Sequence, residues 1–286
     1  MRLLDGKPIA RDIRAKVKEQ ALAYRANGVI PTLLIIIATE DEQAAWYVRS
    51  IRKAAEACDI KVHLTELSAD APTEMIADAL RAAAIDPMVH GILLQTPLPA
   101  GVKIDELLSI IPPQKDVDGA SPISAGRLLY GQAAFAPATA EAVLTLLDYY
   151  NVLLPGKQAV VVGRSRIVGR PAAHLLLERD ATVTICHSRS SDLPVSTRTA
   201  DVLVVAAGKP GLITSADVKP GAVVIDVGTN VTDDNRLVGD VAADVAGIAD
   251  LTPVPGGVGP VTTSLILQHT LTSVSNLLAT AQALQH

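Results

Sequence analysis

Short, uninterrupted apolar runs recur along this chain, each separated from the next by an amphipathic stretch of helical length. Leu33–Ala38 is the longest, and its run of isoleucines marks a strand covered on both faces. Before it, Ile9, Ile13, Val17 and Ala21 return every fourth residue, as one face of a helix does, and Asn27-Gly28 supplies the stop. After it, residues 42–57 carry a helical pattern, Lys61–Leu67 alternates like a strand, Pro72 opens another helix and Val89–Leu94 is a further apolar strand. A β-α-β-α-β order of this kind predicts parallel strands joined by helical crossovers, an α/β fold.

The rhythm breaks between Ile111 and Pro137, where Pro112, Pro113, Gly119, Pro122, Gly126 and Gly131 cluster. Such a stretch reads as a functional loop, a domain border or both. A helix from about Ala138 to Tyr150 then leads into a second set of strands, Ala159–Val162, Thr182–Cys186, Val202–Ala206 and Val223–Val227. A proline- and glycine-rich loop spans Pro253–Pro260, and a final helix runs from about Thr262. The expected organisation is a domain over residues 1–137, completed by the helix 263–286, and a second domain over residues 138–262. With 286 residues, 49% of them apolar, the chain has ample material for two cores and is not generally disordered. Leu33–Ala38 falls far short of the roughly 20 apolar residues of a membrane helix. The charged N-terminus does not resemble a signal peptide, and two cysteines, Cys58 and Cys186, cannot make a disulfide framework, so the expected setting is the cytoplasm, away from membranes. A net charge of −5 without a basic tract argues against nucleic acid as a partner. His63, His90 and His174 lack metal-ligand spacing, so no metal is expected, and Trp46 reads as a packing residue.

The strand Ala159–Val162 runs directly into Gly163-Arg164-Ser165-Arg166-Ile167-Val168-Gly169. A strand, a glycine-bearing turn and a helix in that order turn backbone N–H groups toward a pyrophosphate. The spacing is one residue longer than the usual dinucleotide fingerprint and has serine at its second glycine position. The end of the next strand bears on cofactor choice, since NAD-binding versions place a carboxylate there on the ribose. Here His187-Ser188-Arg189-Ser190 follows Cys186, with no acid until Asp192. Two guanidinium groups, Arg164 and Arg189, suit a phosphate, so NADP is favoured over NAD.

With that turn in place the chain resembles the methylenetetrahydrofolate dehydrogenase/methenyltetrahydrofolate cyclohydrolase family over essentially its whole length. The resemblance is carried by Tyr47-Val48-Arg49-Ser50, Gly91–Pro99, Lys115-Asp116-Val117-Asp118-Gly119, Gly163–Pro171 and Thr252–Pro260. It implies two αβα domains flanking a cleft, the second a Rossmann-type NADP-binding domain, a folate substrate and a homodimer formed through the dinucleotide domains. By the same resemblance Tyr47 would stack on the folate and Asp118 would hold the pterin's N–H groups. Tyr47, Gln95 and Asp118 are then the candidate catalytic residues, and with Pro97, Gly257 and Pro260 the candidate folate contacts. The candidate cofactor contacts are Gly163, Arg164, Ser165, Ile167, Ser188, Arg189, Gly228 and Thr229.

The sequence departs from the family on the folate side. The family pattern Y-x-x-x-K ends here at Ile51, so its catalytic lysine is replaced by an aliphatic side chain. One helical turn from Tyr47, Ile51 would face the folate, and it can neither give nor take a proton. The family's F-H-P after D-V-D-G is Ala120-Ser121-Pro122. Hydride transfer mainly requires positioning, whereas hydrolysis of the methenyl product needs proton shuttling worth roughly 10²–10⁴-fold. The leading expectation is therefore a dehydrogenase with weak or absent cyclohydrolase activity. The alternatives are a fully bifunctional enzyme and an NADP-binding paralogue acting on another substrate or on none.

Overall fold

The computed structural model describes residues 1–232, 234 and 236–283. The chain divides into two compact units, one of Asp12–Ala138 with Thr263–His286 and the other of Met1–Arg11 with Thr139–Thr262. They are called the first and second unit below. The first eleven residues belong with the second unit rather than with residues 12–137, because Leu3 bridges to Leu251 and the N–H groups of Leu4 and Gly6 donate to Leu251 and Gly256.

The first unit begins within α1 (Lys7–Ala26) and continues through β1 (Thr32–Ile37), α2 (Glu42–Ala57), β2 (Lys61–Glu66), α3 (Thr73–Ile85), β3 (Gly91–Leu94), α4 (Ile104–Leu108) and α5 (Pro122–Leu129). The three strands are parallel in the order β2-β1-β3, with Leu34 opposite both His63 and Ile92. Every residue of β1 and β3 is buried, as their apolar runs Leu33–Ile37 and Ile92–Leu94 require, while no residue of the outer strand β2 is fully buried. Leu34, Ile36, Ile76, Leu80, Ile92 and Leu107 form one core of this unit. The proline- and glycine-rich stretch between 111 and 137 is not wholly irregular. Pro122 starts α5 instead of breaking it, because a proline at the first helical turn has no N–H to lose and Ser121 caps the helix by accepting from Ser124 N.

The second unit contains α6 (Ala138–Tyr149), β4 (Gln158–Val162), α7 (Gly169–Leu177), β5 (Thr182–Cys186), α8 (Leu193–Thr197), β6 (Val202–Val205), β7 (Val223–Asp226), the short hairpin β8 (Asn230–Val231) and β9 (Leu237–Val238), and β10 (Asp250–Leu251). Its main sheet is parallel throughout, in the order β10-β7-β6-β4-β5. From β4 the chain moves to β5 on one side and then to β6 on the other, which makes the gap between β4 and β6 the topological switch point of a doubly wound sheet. Val160, Val162, Leu203, Val205 and Val224 fill the core on one face. The final helix, α9 (Val258–Ala283), starts earlier than the glycines around it suggested, and its residues from Thr263 onward belong to the first unit. Among the described residues no helix is long and apolar enough to cross a membrane.

Candidate functional site

In the first unit the candidate residues gather around the turn 115–119. Lys115 is almost fully buried and its Nζ donates to the carbonyl oxygens of Ala83, Ala84 and Asp86 at 3.2, 3.0 and 2.7 Å, which ties the turn to the C-terminus of α3. The carboxylate of Asp116, also buried, accepts from Ala120 N at 3.1 Å, Ser121 N at 2.9 Å and Ser124 Oγ at 2.6 Å. Gly119 has φ +62°, and a Cβ there would fall 2.5 Å from Ala136 C and O. Only glycine lets the turn close against residues 136–137 in this conformation.

Fixed in this way, Asp118 is half-buried. Burial, reinforced by the Asp116 carboxylate, pushes its carboxyl up to about 7, with His269 pulling the other way. Tyr47, half-buried on α2, is pushed well above the ordinary phenol range by burial and by the charge of Asp118, and its hydroxyl hydrogen-bonds the side chain of Thr263. The structure thus brings Tyr47 and Asp118 together, as the resemblance implied, and adds Thr263 and His269 from α9. His269 Nδ1 lies 2.8 Å from Val117 O, and its ring stacks on Phe135 at 4.6 Å. Sequence reasoning missed both α9 residues, because nothing in the local pattern of a helix signals a partner 152 positions away.

Gln95 sits directly after β3, the carboxyl end of the first sheet at its own switch point, where its N–H donates to Ile36 O at 2.8 Å. Its side-chain amide donates to Thr96 O, and the following Thr96-Pro97 bond is cis with Pro97 exposed. Ile51 departs from expectation. It has no exposed surface and shares the buried stripe of α2 with Ala44, Val48 and Ala55, so it is a core residue and not a side chain facing open space. Trp46 is corrected in the opposite sense, since 61% of it is exposed and it does not pack in a core.

In the second unit the turn after β4 is built as its glycines require. Gly163 has φ +133°, its N–H donates to Cys186 O, and a Cβ on it would fall 2.2 Å from Ala206 O. A Cβ on Gly169 would fall 2.2 Å from the Gly163 carbonyl oxygen, so helix α7 abuts the turn with no side chain between. Ser165 Oγ accepts from Val168 N and Gly169 N at 3.2 and 3.3 Å, which closes the turn onto the start of α7. Arg164 and Ile167 are exposed on the same turn. Beyond Cys186, His187 Nδ1 accepts from Arg189 N at 3.1 Å and Ser190 Oγ accepts from His187 N at 3.0 Å, a tight turn that presents Ser188 and Arg189 to solvent. The first acid after this strand, Asp192, is engaged in capping α8 at Val195 N. Gly228, after β7, is buried with its N–H on Asp226, and Thr229 is exposed. Gly257 and Pro260 also belong to this unit, and Gly257 N donates to Pro253 O at 2.8 Å. The exposed guanidinium groups of Arg164 and Arg189, the glycine-cleared turn and the occupied acid fit a dinucleotide with a phosphorylated ribose.

Comparison with known proteins agrees with both halves of this description. Residues 4–118 match the tetrahydrofolate dehydrogenase/cyclohydrolase catalytic domain, and residues 137–278 match the NAD(P)-binding domain of the same family. A protein of Saccharopolyspora erythraea named bifunctional protein FolD 1 is 57% identical over 95% of this chain and 94% of its own length. The structure of the bifunctional enzyme FolD, methylenetetrahydrofolate dehydrogenase/cyclohydrolase, from Campylobacter jejuni superposes with a TM-score of 0.94 at 40% identity, covering 96% of this chain and 99% of that one. The Trypanosoma brucei methylenetetrahydrofolate dehydrogenase-cyclohydrolase, solved with NADP and an inhibitor, superposes at 0.91 with 39% identity, covering 96% and 97%. On two domain models and a relative similar from end to end, the chain belongs to the tetrahydrofolate dehydrogenase/cyclohydrolase family.

Proposed function

We propose that this chain is a bifunctional enzyme that oxidises methylenetetrahydrofolate with NADP and hydrolyses the methenyl product. The carrying observation is the relative in Saccharopolyspora erythraea, named as bifunctional and matched over nearly all of both chains. The expectation of a lost hydrolase, drawn from Ile51, finds no support among relatives this similar.

In the oxidation, NADP bound at the Gly163 turn supplies the hydride acceptor. The protein's part is positioning. Asp118, when ionised, accepts from the amino and ring N–H groups of the pterin, while Tyr47, held neutral by its raised pKa, offers a ring face and a hydroxyl oriented by Thr263. Arg164, Ser188 and Arg189 take the ribose phosphate, with Gly163, Ser165, Ile167, Gly228 and Thr229 around the rest of the cofactor. Gln95 and Pro97 are the further folate contacts of the first unit.

Hydrolysis needs a group that exchanges protons at neutral pH. With isoleucine at position 51, that exchange rests with the polar groups that remain around Tyr47 and Asp118. A second reading, a dehydrogenase with little hydrolase activity, is favoured by the complete burial of Ile51, which keeps that position out of proton chemistry. Methenyl absorbance followed with and without protein separates the two. Protein-dependent decay, lost in Asp118→Ala or Gln95→Ala, is expected; decay at the buffer's own rate would establish the second reading. We also propose that the enzyme works as a cytoplasmic homodimer joined through its second units, a reading supported by the exposed edge strand β5.

A further inference from the structure

We propose that Asp240 is a positioning residue for the dinucleotide: its carboxylate fills the concave backbone of the loop 207–209 and so fixes that loop as one wall of the site at the Gly163 turn. The inference rests on the NADP reading above.

Asp240 has no exposed surface, yet its two oxygens meet four donors. Oδ2 accepts from Ala207 N at 2.6 Å and Gly208 N at 2.8 Å, and Oδ1 accepts from Lys209 N at 2.8 Å and Asn230 Nδ2 at 2.8 Å. Three consecutive N–H groups turned toward one carboxylate form an anion-binding nest, the same device that holds phosphates elsewhere. Here the protein occupies the nest with its own carboxylate. Residues 207–209 themselves are exposed, so the loop turns its N–H groups inward and leaves its outer surface open.

The position of this loop gives the arrangement its meaning. It follows β6, whereas the glycine turn follows β4, and these two strands bracket the switch point. Ala206, the residue before the loop, donates its N–H to Val162 O, and its carbonyl is the group a Cβ on Gly163 would strike. A shift of the loop therefore moves a wall of the turn. Asp240 is held in its own right by Asp226, whose Oδ1 accepts from Asp240 N at 3.0 Å and from Gly228 N at 2.9 Å and whose Oδ2 accepts from Val241 N at 3.0 Å. Two glycines make room for the pair. A Cβ on Gly239 would fall 1.8 Å from Asp226 Oδ2, and one on Gly228 would fall 2.5 Å from Asp240 Oδ1. The chain of contacts runs from β7 through Asp226 and Asp240 to the loop and then to Gly163. Filling the nest internally also removes a competing anion receptor from this edge of the sheet, which leaves the cofactor's phosphates to the turn ahead of α7.

Asp240→Ala should raise the KM for NADP at least tenfold while kcat at saturating NADP changes less than threefold, and the KM for folate, bound mainly by the first unit, should hold. Formate should recover part of the loss by re-entering the vacated nest, a rescue that general unfolding would not show. Normal NADP binding by the unmodified protein together with an unchanged KM in Asp240→Ala would overturn the inference alone. Failure of the unmodified protein to bind NADP would overturn the functional reading and the inference with it. Should Asp240→Ala not fold, hydrogen exchange on the unmodified, cofactor-free protein decides the matter: slow exchange at 207–209 upholds the brace, and exchange at the rate of an open loop refutes it.

Discussion

A carboxyl that titrates near neutrality alters both what a protein binds and how stable it is. Asp118 at about 7 stands above its ordinary value near 4, so the folded state holds its proton more tightly than the unfolded state does. Its contribution to stability is therefore fully present below about 4 and is lost as pH rises through about 7. Asp118→Asn removes the buried charge, and its melting temperature should exceed that of the unmodified protein at pH 8, with the gap closing toward pH 4. Folate binding should run the other way. The ionised form accepts the pterin's N–H groups, so affinity should climb between pH 6 and 8 and fall more than tenfold in Asp118→Asn, as read by calorimetric titration. At the cofactor end, Arg164 is exposed. NADP should bind more tightly than NAD, and Arg164→Ala should lower NADP affinity about tenfold while sparing NAD, since a charge-assisted hydrogen bond is worth about 1.5–3 kcal/mol.

At the scale of the element, the strand–turn–helix around Gly163 tolerates almost no change. A side chain there meets both a positive φ and a carbonyl oxygen at 2.2 Å. Gly163→Ala should lower the melting temperature and abolish measurable NADP binding, while Asp118, in the other unit, should still titrate and with Tyr47 bind folate. Strands built on an unbroken apolar run, such as β1, β4 and β6, were legible in the sequence, because only burial on both faces accounts for such runs. Elements with mixed signals were not. Pro122 reads as a breaker although it opens α5, and Gly257 and Gly259 read as loop although α9 starts between them. The two-residue strand β10 has no periodicity to read. The site divides along the same line. Residues inside one short motif, Asp116–Gly119 or Gly163–Gly169, were legible from sequence, whereas Thr263, His269 and Asp240 act on segments remote in the chain, and only the folded structure brings those segments together.

At the scale of the whole molecule, β5 ends the second unit's sheet with an edge unpaired among the described residues, on which Thr182, Thr184 and Ile185 are exposed. Such an edge is a template for another strand. Light scattering should report twice the monomer mass, and Ile185→Lys should shift it toward the monomer with the NADP affinity retained. The division of the chain carries a different consequence. The first unit is made of two separated stretches, and Thr263 and His269, which meet Tyr47 and the Asp118 turn, come from the second of them. On the ribosome, residues 12–138 emerge and collapse without these partners and must wait until all of 139–262 has been translated. The second unit's segment therefore has time to fold before the first can close. Chaperone demand during synthesis should accordingly concentrate on the half that is made early but completed late.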